Sequence, residues 1–140
     1  MLEPLPADCV FQSLATGRRT TVGGDLETVM AGLSCGEVST LAWEILATGA
    51  NAGLALADAM ALAGMRRFAE PLPGDPAIVA GECSGGGLGA LLALKARPDL
   101  WQQLGLDASS RVLLIGTEGD TDPEIYRRVV GNTAAEVLAP

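Results

Sequence analysis

The 140-residue chain is long enough for one domain with a core of its own, and 49% of it is apolar at a mean hydropathy of +0.32. Its net charge of −8, with no clustered Lys/Arg stripe, argues against a nucleic-acid or anionic-membrane surface, and no apolar run approaches the roughly 20 residues of a membrane span. The chain has no histidine, so neither a zinc site nor a Ser–His or Cys–His nucleophile is expected.

The opening Met1-Leu2-Glu3-Pro4 has no basic n-region and no apolar h-region. A signal peptide is therefore not expected, and the cytoplasm is the expected compartment. Residues 7–14 read as a short helix closed by Gly17. Residues 20–22 are a candidate short strand before a Gly23-Gly24-Asp25 turn. Residues 36–47 read as a helix, because Val38, Leu41, Ala42, Ile45 and Leu46 follow the helical repeat. Residues 52–57 form an apolar run of strand length. Asp58 then reads as the N-cap of a helix through Phe68, ended by Pro71 and Pro73.

Residues 77–80 are a possible extended entry to a long Gly/Ala/Leu helix over 81–96. Each helical glycine costs about 1 kcal/mol against alanine, so their number suggests close packing against a neighbour. Pro98 opens a short helix through Gln103. Residues 111–115 are the best strand, with Val112-Leu113-Leu114-Ile115 unbroken. Gly116 to Asp122 form a polar turn, and Asp122, Pro123 and Glu124 start a helix through Val130. Alternating strand and helix implies a three-layer α/β arrangement with a mostly parallel sheet. With only two or three convincing strands, the chain reads as part of a sheet.

Three segments could carry chemistry. Gly116-Thr117-Glu118-Gly119-Asp120-Thr121-Asp122 follows the best strand, where open α/β sheets bind ligands. Thr117 could bond a heterocyclic nitrogen, and glycines let a ring approach. A polar turn whose acids cap the next helix is the competing reading. Gly81-Glu82-Cys83-Ser84-Gly85-Gly86-Gly87 invites a phosphate-cradle reading at a helix start, yet it matches neither phosphate-loop signature, and a tightly packed helix start is the better account. Ala31-Gly32-Leu33-Ser34-Cys35-Gly36-Glu37 offers Ser34 or Cys35 as a nucleophile, but no base residue accompanies them. Lys95, the only lysine, falls in a last helical turn where it complements the dipole.

Together, Leu2-Glu3-Pro4, Ala7-Asp8-Cys9, Val22-Gly23-Gly24-Asp25, the 31–37 segment, Gly81-Glu82 and the 116–122 turn resemble, in order, the diaminopropionate ammonia-lyases. These are fold-type-II pyridoxal-phosphate (PLP) enzymes of the tryptophan-synthase-β class. The resemblance covers essentially the whole chain and corresponds to the family's last third, starting inside a strand that ends in Glu3-Pro4. Residues 1–140 are thus expected to be a single partial domain, the C-terminal portion of a three-layer αβα PLP-binding large domain. Val38 stands where the family often has Pro, and Cys83 where Ser is usual, which bears on the helix starts.

The resemblance implies a chain that contributes to the α,β-elimination of 2,3-diaminopropionate to pyruvate and ammonia. Thr117 would face the pyridine nitrogen of PLP, with Gly116, Gly119 and Glu82 beside the cofactor. Ser34, Cys35 and Gly36 would lie near the substrate entrance. The family's cysteines at the positions of Cys9 and Cys35 imply that these two are neighbours and a possible disulfide. In the family the Schiff-base lysine, the acid–base carboxylates and the phosphate loop all lie upstream. The expected partners are that missing N-terminal part and, in the full-length family, a second copy; nucleic acid, membrane and metal are not expected. Catalysis by this chain alone is not expected, and the competing readings are a non-enzymatic α/β binding or interaction module and a gene fragment without independent function.

Overall fold

The computed structural model describes residues 1–139, which fall into two compact units, one spanning Met1–Asp58 and the other beginning at Ala59. In the first unit, strand β1 (Leu2–Pro4) pairs in parallel with β2 (Leu54–Leu56), Glu3 opposite Ala55. A 3-10 turn leads from β1 into helix α1 (Cys9–Thr16), which Gly17 closes at φ 69°. α1 starts two residues later than its sequence suggests because its cap comes from elsewhere. The Glu3 carboxylate accepts the amides of Val10 (2.9 Å) and Phe11 (2.6 Å), satisfying orphan donors at the helix start.

Helix α2 (Thr40–Gly49) also starts late, four residues after Gly36. Ser39 is the N-cap and accepts from the Ala42 amide. Gly36 is held instead against residue 22, whose amide donates to the Gly36 carbonyl at 2.8 Å; a side chain at Gly36 would collide with the Val22 carbonyl. Among the described residues this one bond is the only pairing of the 20–22 segment with a later segment of the backbone, so it is no strand. Val38 thus lies before the helix, and the buried face differs from the expected stripe. Trp43 and Leu46 pack on a core of Cys9, Val10 and Val38, while Leu41 and Ile45 face outward at 75% and 71% exposure. Asp58 does not cap its own helix: its carboxylate accepts the Thr28 hydroxyl (2.5 Å) and the Val29 amide (3.0 Å), anchoring that loop.

The second unit is built on a close helix pair. α3 (Asp58–Ala69) lies against α4 (Glu82–Lys95) through glycines on both sides. A methyl at Gly85 would lie 2.6 Å from the Ala61 carbonyl oxygen and 2.7 Å from Met65 Cγ; methyls at Gly64 and Gly89 would meet the backbones of Gly85 and Met60. The glycine content of α4 is thus explained by packing. α5 (Pro98–Gln103), α6 (Pro123–Val130) and α7 (Ala134–Val137) follow. α6 starts as its sequence dictates, with Pro123 first and the Asp122 carboxylate accepting the Ile125 amide at 2.9 Å. A Thr133–Glu136 capping box opens α7.

Residues 77–80 and 111–115 join no ladder, and the paired sheet among the described residues has two strands. A strand needs a neighbour, and no described segment supplies one to 111–115. Leu113 and Ile115 are consequently 85% and 82% exposed, an unpaired apolar stretch of the kind that recruits other chains. No helix among the described residues is long and apolar enough to cross a membrane. The isolated chain is expected to self-associate, with light scattering giving a mass that rises with concentration. A Leu113→Glu/Ile115→Glu variant should suppress that rise; a concentration-independent monomer for the unmodified chain would show that the stretch is not sticky.

Candidate functional site

Two of the three segments singled out by sequence meet in the second unit. The 116–121 turn sits on the N-terminus of α4, and Ser84 and Glu118 bind each other twice. The Glu118 amide donates to Ser84 Oγ (3.1 Å), and the Ser84 hydroxyl donates to the Glu118 carbonyl (2.9 Å). The same carbonyl accepts the Gly81 amide at 3.1 Å. The Glu118 side chain accepts the Cys83 amide through Oε2 (2.8 Å) and the Thr121 hydroxyl through Oε1 (3.4 Å). Gly81 is obligatory here: a methyl on it would lie 2.7 Å from Glu118 Cγ.

The positive end of α4 is therefore occupied by a carboxylate of the same chain. This favours the packed-start reading over the phosphate cradle. Glu82, in the same first turn, is 6% exposed and its carboxylate makes no hydrogen bond among the described residues. Thr117 is exposed, and its hydroxyl likewise makes none. A side chain at Gly119 would meet nothing within 4 Å, whereas one at Gly116 would press on Ser84. A groove of about 400 Å³ runs beside the turn, bounded among others by Phe68, Leu114, Ser84, Gly116 and Glu118. Local pattern alone did not single out Ser84 and Glu118, which are 34 residues apart. The one available signal was a hydroxyl in the first turn of a helix that lacks a side-chain cap of its own.

Lys95 lies at the far end of α4, about 20 Å from the turn at 1.5 Å per residue. It is exposed and lines a different cavity, with Arg67, Phe68 and Leu72. Tyr126 on α6 is 1% exposed with its hydroxyl unpartnered among the described residues; burial, and then the charge of Asp120, push its phenol up. No group of three or more His, Cys, Asp or Glu among the described residues could hold a metal ion.

The third segment belongs to the first unit. The Ser34 hydroxyl donates to the Leu26 carbonyl (2.7 Å), the Cys35 amide to the Leu33 carbonyl (2.8 Å), and Gly36 holds Val22. Ser34 is thus engaged in holding its own loop. Cys9 is 2% exposed, and its thiol donates to Glu3 Oε1 at 3.6 Å. Burial first, then the Glu3 charge and hydrogen bond, and Cys35 as well, push the Cys9 thiol up from 9.0 to about 11. The two thiols are not bonded to each other in this structure.

The chain matches no protein-family model. It is 44% identical over 133 residues to the diaminopropionate ammonia-lyase of Escherichia coli K12, covering 93% of this chain and 33% of that protein. The Salmonella typhimurium LT2 enzyme of the same name is 41% identical over 138 residues, covering 94% and 34%. Among solved structures, the E. coli enzyme in complex with an aminoacrylate-PLP azomethine reaction intermediate superposes with a TM-score of 0.84 at 41% identity, over 92% of this chain and 33% of that one. Its selenomethionine holo form gives 0.83 at 40%, over 99% and 35%. A threonine deaminase from T.th., at 22% identity and a TM-score of 0.60 over 69% of the chain, shares the fold alone.

The elevated thiol has a direct consequence. The unfolded chain loses the Cys9 proton near pH 9, the folded chain near 11. The contribution to stability is therefore complete below pH 9 and lost as pH rises to about 11. Denaturation midpoints should fall across that window, and Cys9→Ser should flatten the fall. At pH 8, mass-resolved alkylation of Cys9 should run about 100-fold slower folded than in urea, the ratio of thiolate fractions about two units apart. Equal rates would contradict the buried placement. The chain spans about a third of the length of the curated relatives it matches, and over that third, their C-terminal part, it is similar to the diaminopropionate ammonia-lyases in sequence and in fold.

Proposed function

We propose that this chain forms the pyridine-end wall of a PLP site in a diaminopropionate ammonia-lyase, working with a preceding part that brings the Schiff-base lysine and the phosphate loop. The observation that carries the reading is the turn clamped onto α4 with Thr117 left exposed and unbonded. The donor set fits the cofactor's heterocyclic end. Thr117 offers a neutral hydroxyl, and Gly119 leaves open space in which a ring can approach.

When bound, PLP supplies the electron sink for the elimination. This chain's residues orient it and set the polarity at its ring nitrogen. A hydroxyl at Thr117 leaves that nitrogen largely unprotonated, which moderates the sink and suits β-elimination. Glu82 is the buried acid on the ring side, at the base of α4. Ser34, Cys35 and Gly36 are assigned to the substrate entrance, where Cys9 and Cys35 can pair as a disulfide under oxidising conditions. We assign the reaction to 2,3-diaminopropionate, giving pyruvate and ammonia, and the assembled enzyme to a cytoplasmic homodimer. Residues 1–140 act there as one portion of the PLP-binding large domain.

Lys95 argues for a divided site. It is the sole lysine, exposed, and a helix length from Thr117, whereas a Schiff-base lysine is usually desolvated beside the ring. A single polypeptide joining the preceding part of the E. coli relative to this chain should form pyruvate from 2,3-diaminopropionate, while the 140-residue chain alone forms none. In the joined protein Thr117→Asp should lower kcat by about tenfold, about 1.4 kcal/mol in barrier. Turnover by the chain alone would sink the reading. A joined protein that neither binds PLP nor turns over would leave a non-enzymatic binding module.

A further inference from the structure

We propose that Glu118 is a sequestered carboxylate, held on the N-terminus of α4 by Ser84 and Gly81 so that the group offered to the cofactor's ring nitrogen stays neutral. The inference rests on the assignment of Thr117 above and adds Glu118 and Ser84 as positioning residues, which act through the turn and not on the substrate.

Glu118 is the residue next to Thr117, so its α-carbon lies only about 3.8 Å along the backbone. If its side chain were free to turn toward the group that Thr117 faces, a carboxylate beside a ring nitrogen would hold a proton on it, the opposite of what a threonine hydroxyl does. The structure engages both of its oxygens elsewhere. Oε2 accepts the Cys83 amide at 2.8 Å and Oε1 the Thr121 hydroxyl at 3.4 Å. The backbone of the same residue is fixed by three more bonds: amide to Ser84 Oγ, and carbonyl from the Ser84 hydroxyl and the Gly81 amide. Ser84 is 8% exposed, so water competes little for these bonds. Of the two acids at this helix end, Glu118 takes the amide, while Glu82 makes no hydrogen bond among the described residues. Residue 81 must be glycine for the Glu118 side chain to lie along the helix start, since a methyl would come within 2.7 Å of its Cγ.

Ser84→Ala removes both hydroxyl links, Ser84→Thr keeps them, and Glu118→Gln removes the charge while keeping the shape. In the complete 140-residue chain, the amide ¹H–¹⁵N signals of residues 116–121 should shift and broaden in Ser84→Ala and return toward the unmodified positions in Ser84→Thr. Unmoved signals in Ser84→Ala would overturn the clamp. In the joined protein with PLP, the visible band of the bound cofactor should be pH-independent for the unmodified sequence and for Glu118→Gln. Ser84→Ala should introduce a pH-dependent band shift that the Ser84→Ala/Glu118→Gln double variant abolishes. A shift that persists in the double variant would show that the freed carboxylate is not its source and overturn the proposal. A joined protein that takes up no PLP would defeat the Thr117 assignment itself. The amide signals would then still decide separately whether Glu118 is clamped.

Discussion

The reciprocal bonding of Ser84 and Glu118 solves two problems of backbone chemistry at once, and the hold of the 116–121 turn depends on it. A helix start leaves amides without partners, and a polar turn leaves a carbonyl and an amide without a ladder. In this chain each supplies what the other lacks. The Glu118 carboxylate takes the Cys83 amide, its carbonyl takes the Gly81 amide, and the Ser84 hydroxyl serves as both donor and acceptor. Because α4 is itself locked against α3 by glycine-to-backbone contact, the turn is held by a rigid element. Thr117 is thereby presented on a fixed loop, although no sheet among the described residues supports the segment before it.

The first unit uses the same device with different residues. Glu3, in the middle of a three-residue strand, caps α1 from a position seven residues before Val10. Its carboxylate also receives the Cys9 thiol; burial first, and then this carboxylate, raise that thiol and make it a poor nucleophile. In both units an acid from one segment closes the start of a helix in another. Glu3 and Glu118 are thus carboxylates engaged inside their own units.

What the sequence disclosed follows the range of the forces involved. α6 was legible to the residue because Asp122, Pro123 and Glu124 act within one turn. The glycines of α4 announced close packing, though not that α3 was the neighbour. The starts of α1 and α2 were misplaced because Glu3 and the Val22–Gly36 contact are not local. Asp58 looked like a cap and instead ties down residues 28 and 29. Residues 111–115 read as the best strand, and their composition is that of one, but a ladder needs a second strand that no described segment provides. The turn at 116–122 was found as a candidate site; its clamp was not, because Ser84 and Glu118 approach only through tertiary structure.

The central claim is that the clamp is built by this chain while the apolar stretch leading into it is not. Native-state hydrogen exchange of the 140-residue chain, read at single amides at low concentration, tests both halves together. The account predicts slow exchange at Gly81, Cys83 and Glu118 and near-random-coil exchange at Leu113 and Ile115. Equally fast exchange at all of these amides would mean that the turn is not held on α4, and the presentation of Thr117 would lose its physical basis.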